Sequence, residues 1–192
     1  MTLLLVLACG EPEPEGTYEE DCSDGEDNDL DGELDCDDLG CSEVCGGGAS
    51  ELYINEFMAS NIASVETPDG DFSDWLELYN PTSSAVDLGG WTLTDDLSAP
   101  SKHVMPDGVI VPAGGFLILW ADDDEETEGP THLNFHMAIE GESLGLYAPD
   151  GTPVDTLDYE PQASDISVAR VPDGSDTWEL TDQPTPGESN GG

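Results

Sequence analysis

Between Glu51 and Asn190 the sequence repeats one unit, a short apolar stretch followed by a tight turn. The stretches are rich in β-branched and aromatic residues, which favours strands over helices. They occupy residues 52–57, 75–79, 91–93, 109–111, 116–120, 144–147 and 167–169. Proline and glycine, which suit the backbone angles of tight turns, separate them as Pro-Asp-Gly at 68–70, 106–108, 149–151 and 172–174, or as Asn-Pro and Gly-Gly pairs.

This pattern predicts an all-β fold. No window long enough for a helix shows the 3.6-residue periodicity of an amphipathic helix. About seven to nine short strands at this spacing are typical of an antiparallel β-sandwich with Greek-key connections. We therefore expect a single sandwich domain over residues 49–190.

Five blocks of this region also carry a family resemblance. They are INEFMASN at 54–61, DWLELYNPTSSAVDLGGWTLTDD at 74–96, IVPAGGFLILWAD at 110–122, HLNFHMAIEGESLGLYAPDGTPVD at 132–155 and DISVARVPDGSDTWELTDQPTPGESN at 165–190. In order and wording they resemble the bacterial lamin tail domain, an immunoglobulin-like β-sandwich. The resemblance implies a module that accompanies exported proteins, often hydrolases, and serves in attachment. It implies fold more than function.

The charge of the chain excludes one class of partner. It has 45 Asp and Glu residues and only two Lys and Arg residues, Lys102 and Arg170, which gives a net charge of −43. Nucleic acid requires clustered cations that displace its counterions, so no nucleic acid is expected to bind. In animal lamins the domain contacts chromatin, and that role is therefore not expected for this chain. The negative potential of such a surface attracts divalent metals and cationic polymers. The alternative is that the acidity is an adaptation to a saline habitat.

The N-terminus, MTLLLVLACG, resembles an export signal that ends in a lipobox. Its apolar run, Leu3 to Ala8, falls far short of the roughly 20 residues that a transmembrane helix needs. The resemblance implies cleavage before Cys9 and attachment of lipid to its thiol, which would place the protein at the outer membrane or cell surface. Export signals usually carry basic residues before the apolar run, and this N-terminus has none. A chance apolar start on a cytoplasmic protein is the alternative.

The other cysteines are Cys22, Cys36, Cys41 and Cys45. An even number can pair completely, which indicates disulfides and an oxidising compartment. The sequence leaves their pairing open. A four-thiolate zinc site is the alternative, but the spacings lack the paired C-x-x-C units that such a site usually has.

The same segment carries a pattern that suits calcium. Asp27-x-Asp29-x-Asp31-Gly32 places carboxylates at alternate positions before a glycine, and calcium prefers such oxygen ligands on a looping backbone. Counting along the loop, the predicted ligands are Asp27, Asp29, Asp31, the carbonyl of Glu33, Asp35 and Asp38. The segment resembles the thrombospondin type-three calcium repeats, which would imply a Cys22–Cys36 disulfide across the loop. The alternative is a disordered acidic linker.

A second acidic cluster, Glu56, Asp69, Asp71 and Asp74, allows a second calcium site if the loop before residue 75 folds over Glu56. The interpretation that we favour is structural. In it, Glu56 and Glu77 accept backbone hydrogen bonds while the aspartates cap turns.

Two motifs suggest catalysis and fail on context. Gly141 to Gly145 reads G-x-S-x-G, but a hydrolase elbow needs a following helix and a later histidine, and here a strand follows while all histidines lie upstream. His132 and His136 are four residues apart, a spacing that binds zinc on a helix but separates them by about 13 Å on a strand. We therefore expect no enzyme activity.

The order of features predicts four segments: a lipoprotein signal at 1–9, an acidic tether at 10–20, a disulfide-rich, mostly irregular calcium-binding segment with a glycine hinge at 21–48, and the sandwich at 49–190. The leading hypothesis is a non-catalytic surface lipoprotein that displays the sandwich for adhesion or surface assembly. Its ligand would be a protein or polysaccharide at the cell surface. The alternatives are a small metal-dependent hydrolase centred on Asp71, an accessory domain of an exported hydrolase, and an acidic calcium buffer.

Overall fold

The computed structural model describes residues 52–123 and 129–191. Within these ranges the chain forms strands and no helix, so the predicted all-β class is confirmed. The strands are β1 Tyr53–Met58, β2 Asp74–Tyr79, β3 Val86–Asp87, β4 Thr92–Thr94, β5 His103–Val104, β6 Ile110–Val111, β7 Phe116–Ala121, β8 His132–Leu133, β9 Ser143–Tyr147, β10 Pro153–Asp158, β11 Ser167–Arg170 and β12 Trp178–Thr181. The described residues form no helix that could cross a bilayer.

The strands form two main sheets of unequal width. The wider sheet has six strands in the order β12-β11-β1-β2-β7-β8, and the narrower has four in the order β10-β9-β4-β5. β3 and β6 form a separate pair. The strand pairs are antiparallel as expected, except for the short parallel pair of β7 and β8.

The two sheets pack face to face on one hydrophobic core. Side chains on the inner face of the wider sheet, such as Phe57, Leu76 and Leu119, meet Leu93 and Leu146 of the narrower sheet there. Each of these side chains is at most 1% exposed. Burying a side chain of this size stabilises a fold by about 1.5–3 kcal/mol, so this shared core holds the sandwich together.

The predicted turns are present. The glycines that close the Pro-Asp-Gly turns all have positive φ, with +85° at Gly151 and +68° at Gly174 as examples. A residue with a Cβ rarely adopts that conformation. At Gly174 an added Cβ would also lie 3.2 Å from the ring of Tyr53.

Two strands with a bearing on function were not among the predicted apolar stretches. β10, with the sequence PVDTLD, and β12, WELT, each lie at the edge of a main sheet. Edge strands are half-solvated and tolerate proline and charge. Their composition therefore resembles that of a loop, which is why the apolar pattern missed them.

Candidate functional site

The unequal width of the sheets leaves part of the core face uncovered. A row of directly paired residues crosses the wider sheet from Leu119 through Leu76, Phe57 and Val168 to Leu180. The first three are fully buried, Val168 is half-buried, and Leu180 is 71% exposed. The narrower sheet ends at β10, so the apolar row continues past its edge into solvent.

A groove of about 300 Å³ lies at this edge, between β10 and β12. Apolar groups from both sheets line it, among them Phe57, Leu157, Val168, Trp178 and Leu180. In the described part of the chain, no further strand pairs with the outer side of β10 or β12. The groove is thus an apolar channel bordered by two open strand edges. We call it the edge groove.

Ring contacts fix the inner wall of the edge groove. The Phe57 ring lies 4.9 Å from that of Tyr159 and 5.8 Å from that of Trp178, measured between centroids. The Tyr159 hydroxyl lies 2.9 Å from both the carbonyl of Ala138 and Oε1 of Glu142, and these two acceptors share its one proton. Burial raises the pKa of Tyr159, and the nearby carboxylate of Glu142 raises it further. This phenol therefore acts as a neutral hydrogen-bond donor, and its ring is held in place.

The charged residues that line the edge groove are all acidic. Asp158, Glu160 and Glu179 are exposed lining residues, and the described lining contains neither lysine nor arginine. Arg170 lies close by, with its guanidinium carbon 4.3 Å from the centre of the Trp178 ring. Its charge is already paired with Asp155. The edge groove therefore combines an apolar floor with a negative rim.

The residues of the predicted second metal site differ in burial and in hydrogen-bond partners. Asp69 and Asp71 are exposed in the loop before β2, while Glu56 is fully buried on β1. Oδ1 of Asp74 accepts the backbone N–H of Asn61 at 2.9 Å. Within residues 52–123 and 129–191, no three carboxylates, histidines or cysteines converge as metal ligands would.

Glu56 instead belongs to a buried network on the outer face of the wider sheet. Its carboxylate accepts from Oγ of Ser167 at 2.5 Å and from the backbone N–H of Thr185 at 3.1 Å. Glu77, directly across from it in the β1–β2 pairing, accepts the backbone N–H of Gly187 at 2.5 Å. Both glutamates thus accept backbone hydrogen bonds, and the C-terminal segment supplies them.

Burial shifts the ionisation of this pair. It raises the pKa of Glu77 to about 8, and the neighbouring charge of Glu56 adds to the effect. Burial raises the pKa of Glu56 as well. One Glu77 oxygen, Oε1, is buried and accepts no hydrogen bond within the described ranges. A proton on Glu77 is the simplest way to keep two adjacent buried carboxyls from both being charged.

The residues of the catalytic motifs have other partners. Ser143 begins β9, and its hydroxyl donates to Oδ1 of Asp158 across the strand pair at 2.6 Å. His132 is buried with Nδ1 2.8 Å from Oδ2 of Asp122, whereas His136 is exposed. The serine is therefore part of a strand and not of a strand-to-helix elbow.

The remaining predicted site residues lie outside the described residues. They are the lipidation site Cys9, the calcium ligands Asp27, Asp29, Asp31, Glu33, Asp35 and Asp38, and the disulfide cysteines Cys22, Cys36, Cys41 and Cys45. Sequence reasoning also missed the edge groove. The alternation of Trp178, Glu179 and Leu180 was the available signal, since it is the period-two pattern of a strand with one apolar face.

Comparison with known families supports this architecture. The family model of the Lamin Tail Domain matches residues 47–161, more than half of the chain. Comparison with curated proteins finds no match. The matched family is a non-enzymatic, immunoglobulin-like domain, in agreement with the sandwich and with the strand location of Ser143. The chain therefore belongs to the lamin tail domain family.

Proposed function

We propose that this protein is an exported lipoprotein that uses its lamin tail domain as a non-catalytic binding module, for adhesion or surface assembly. The observation that carries the proposal is the edge groove, where the apolar row from Phe57 to Leu180 extends beyond the narrower sheet. A monomer that has no partner gains nothing from leaving such a surface in water. The edge groove is the ligand site in this proposal.

Display of the module rests on the N-terminal sequence. Cys9 carries the lipid, the acidic residues 10–20 form a tether, and the Asp-rich residues 21–48 form a calcium-stiffened stalk. In this arrangement calcium neutralises part of the stalk's charge, which would otherwise repel the acidic sandwich. The sandwich is then displayed at the cell surface, where its edge groove binds a protein or polysaccharide.

Replacement of Cys9 tests the display. We expect wild-type chain expressed in a bacterial host to incorporate a labelled fatty acid and to be digested by protease added to intact cells. The Cys9→Ser variant should incorporate none and should appear in the soluble exported fraction. A matched Cys45→Ser variant should keep the lipid, because only Cys9 follows the apolar run. Wild-type chain found unlipidated in the cytoplasm with reduced thiols would contradict the proposal.

A further inference from the structure

We propose that the edge groove takes an extended, cationic segment of another protein, which adds to the free edge of β10 as a fifth strand of the narrower sheet. This inference rests on the proposed binding function and specifies its ligand. The segment would alternate apolar and basic residues, with the apolar side chains over Val168 and Leu180 and the basic ones beside Asp158.

The shape of the edge groove favours a strand. Within the described ranges no strand pairs with the outer edge of β10. An extended peptide satisfies the backbone N–H and C=O groups of such an edge by strand addition. A strand placed there would lie over Leu180 and Val168, the part of the apolar row that the narrower sheet leaves uncovered. Completion of the sheet and burial of the row are thus achieved by the same ligand.

Side-chain alternation on β10 predicts where charge is needed. Leu157 packs against the core, so its neighbour Asp158 points to the outer face, where it meets Ser143. An added strand has the same alternation, so its outward side chains would lie beside Asp158. Glu160 follows two residues later and is also exposed. Lysine or arginine at the outward positions of the ligand would pair with these carboxylates.

The cations cannot come from this chain or from a second copy of it. Lys102 and Arg170 are its only lysine and arginine. Nζ of Lys102 lies 2.5 Å from Asp95, and Arg170 is paired with Asp155. Two copies, each with a net charge of −43, would also repel each other. A basic partner protein is the occupant that the charges favour.

A carbohydrate fits the edge groove less well. Sugar platforms present an open aromatic face, but the guanidinium of Arg170 already lies over the Trp178 ring at 4.3 Å. Phe57 is fully buried, and Tyr159 is also buried. A sugar would also leave the backbone groups at the edge of β10 unpaired.

Calorimetric titration of the full chain tests the inference. The probe is a synthetic peptide of about eight residues, an ordinary strand length, with alternating valine and lysine. We expect saturable binding that weakens when salt is raised from about 50 to about 500 mM. Replacing the lysines by glutamate, or methylating the backbone nitrogens that face β10, should abolish it. No saturable binding of the valine-lysine peptide would overturn the inference.

Two variants and a control locate the site. Leu180→Asp should lower the affinity for the peptide about tenfold or more, since it puts a charge on the apolar floor. Glu160→Lys should lower the affinity about threefold or more, because it reverses a charge on the rim. Val104→Asp, at the opposite edge of the narrower sheet and 58% exposed in the wild type, is the matched control and should bind like the wild type. Circular dichroism checks that each variant is folded.

The other outcomes are decisive as well. Equal binding by Leu180→Asp and the wild type would overturn the edge groove as the site. A neutral β-linked glucose oligosaccharide that binds the wild type but not Leu180→Asp would replace the peptide with a polysaccharide ligand. Neither result affects the lipidation and surface exposure that depend on Cys9, so this inference can fail while the proposed display stands.

Discussion

Nη2 of Arg170 donates to both carboxylate oxygens of Asp155, at 3.1 and 3.0 Å, and so joins the two sheets of the sandwich. Arg170 lies on β11 of the wider sheet and Asp155 on β10 of the narrower one. Oδ2 of Asp155 also accepts the backbone N–H of Ile54 at 2.8 Å, and Nε of Arg170 donates to the Ile54 carbonyl. The pair holds β10 at the position that opens the edge groove.

Asp155→Ala should therefore destabilise the fold strongly. It leaves the Arg170 guanidinium, whose side chain is 6% exposed, with only the exposed Asp176 at 3.9 Å as a counter-charge, and it leaves the N–H of Ile54 without an acceptor. Removing one partner of a buried ion pair typically costs about 3–5 kcal/mol. Urea unfolding of the two proteins measures the loss. Lys102→Ala is the control, because its pair with Asp95 is more exposed and should contribute less than about 1 kcal/mol. Similar losses in both variants would contradict this assignment.

The raised pKa of Glu77 predicts a pH dependence of stability. The folded state keeps a proton on Glu77 up to a pKa of about 8, whereas the unfolded chain loses it near the ordinary value of 4.5. The free energy of unfolding that this group contributes therefore falls as pH rises between those values and levels off above pH 8. The slope for one proton reaches about 1.4 kcal/mol per pH unit.

Glu77→Gln should flatten that dependence. The amide keeps an acceptor for the N–H of Gly187 and cannot ionise beside Glu56. We expect the variant to be more stable than the wild type near pH 8 and closer to it near pH 5, measured by urea unfolding at each pH. Glu66→Gln, at an exposed position, should follow the wild-type profile. Parallel profiles for Glu77→Gln and the wild type would show that Glu77 does not titrate in this range.

Thr185 makes the C-terminal segment part of the domain, although the family match ends at residue 161. Its hydroxyl lies 2.6 Å from Oδ1 of Asn190 and 3.1 Å from Oε2 of the buried Glu56, and these two acceptors share its one proton. Thr185→Val keeps the shape and removes this donor, which should lower the free energy of unfolding by about 1–3 kcal/mol. Thr181→Val, where the hydroxyl contacts only exposed chain, should stay within about 0.5 kcal/mol of the wild type. Thermal unfolding of both variants distinguishes these values.

Calcium binding by the stalk is a separate prediction. Calorimetric titration of the full chain, with disulfides intact, should show a saturable site of micromolar to millimolar affinity. Asp29→Ala and Asp31→Ala should each abolish it, since each removes a ligand of the predicted loop. Asp69→Ala and Asp71→Ala should leave it unchanged and so distinguish this site from the second acidic cluster. Many weak sites with no response to Asp29→Ala would favour the acidic buffer instead.

Local sequence determined the fold class of this protein. Short apolar stretches with β-branched and aromatic residues form strands because their side chains fit a pleated, half-buried surface. Pro-Asp-Gly turns, such as those at Gly151 and Gly174, recur because their last residue needs positive φ. The net charge, and with it the exclusion of nucleic acid, was also fixed by composition. These properties depend on neighbours in sequence, so they can be recognised without a structure.

Tertiary structure alone decided the candidate site. The edge groove exists because a six-stranded sheet faces a four-stranded one, and sheet width is a property of strand order. The partners of Glu56 and Arg170 are equally remote, since Thr185 lies 129 residues from Glu56 and Ile54 lies 116 residues from Arg170. Asp155 looks like an ordinary acidic residue in the sequence, and the sequence indicated a hydrogen-bonding role for Glu77 but not its place beside a second buried carboxyl. Only long-range pairing buries one against an arginine and the other beside a second carboxyl.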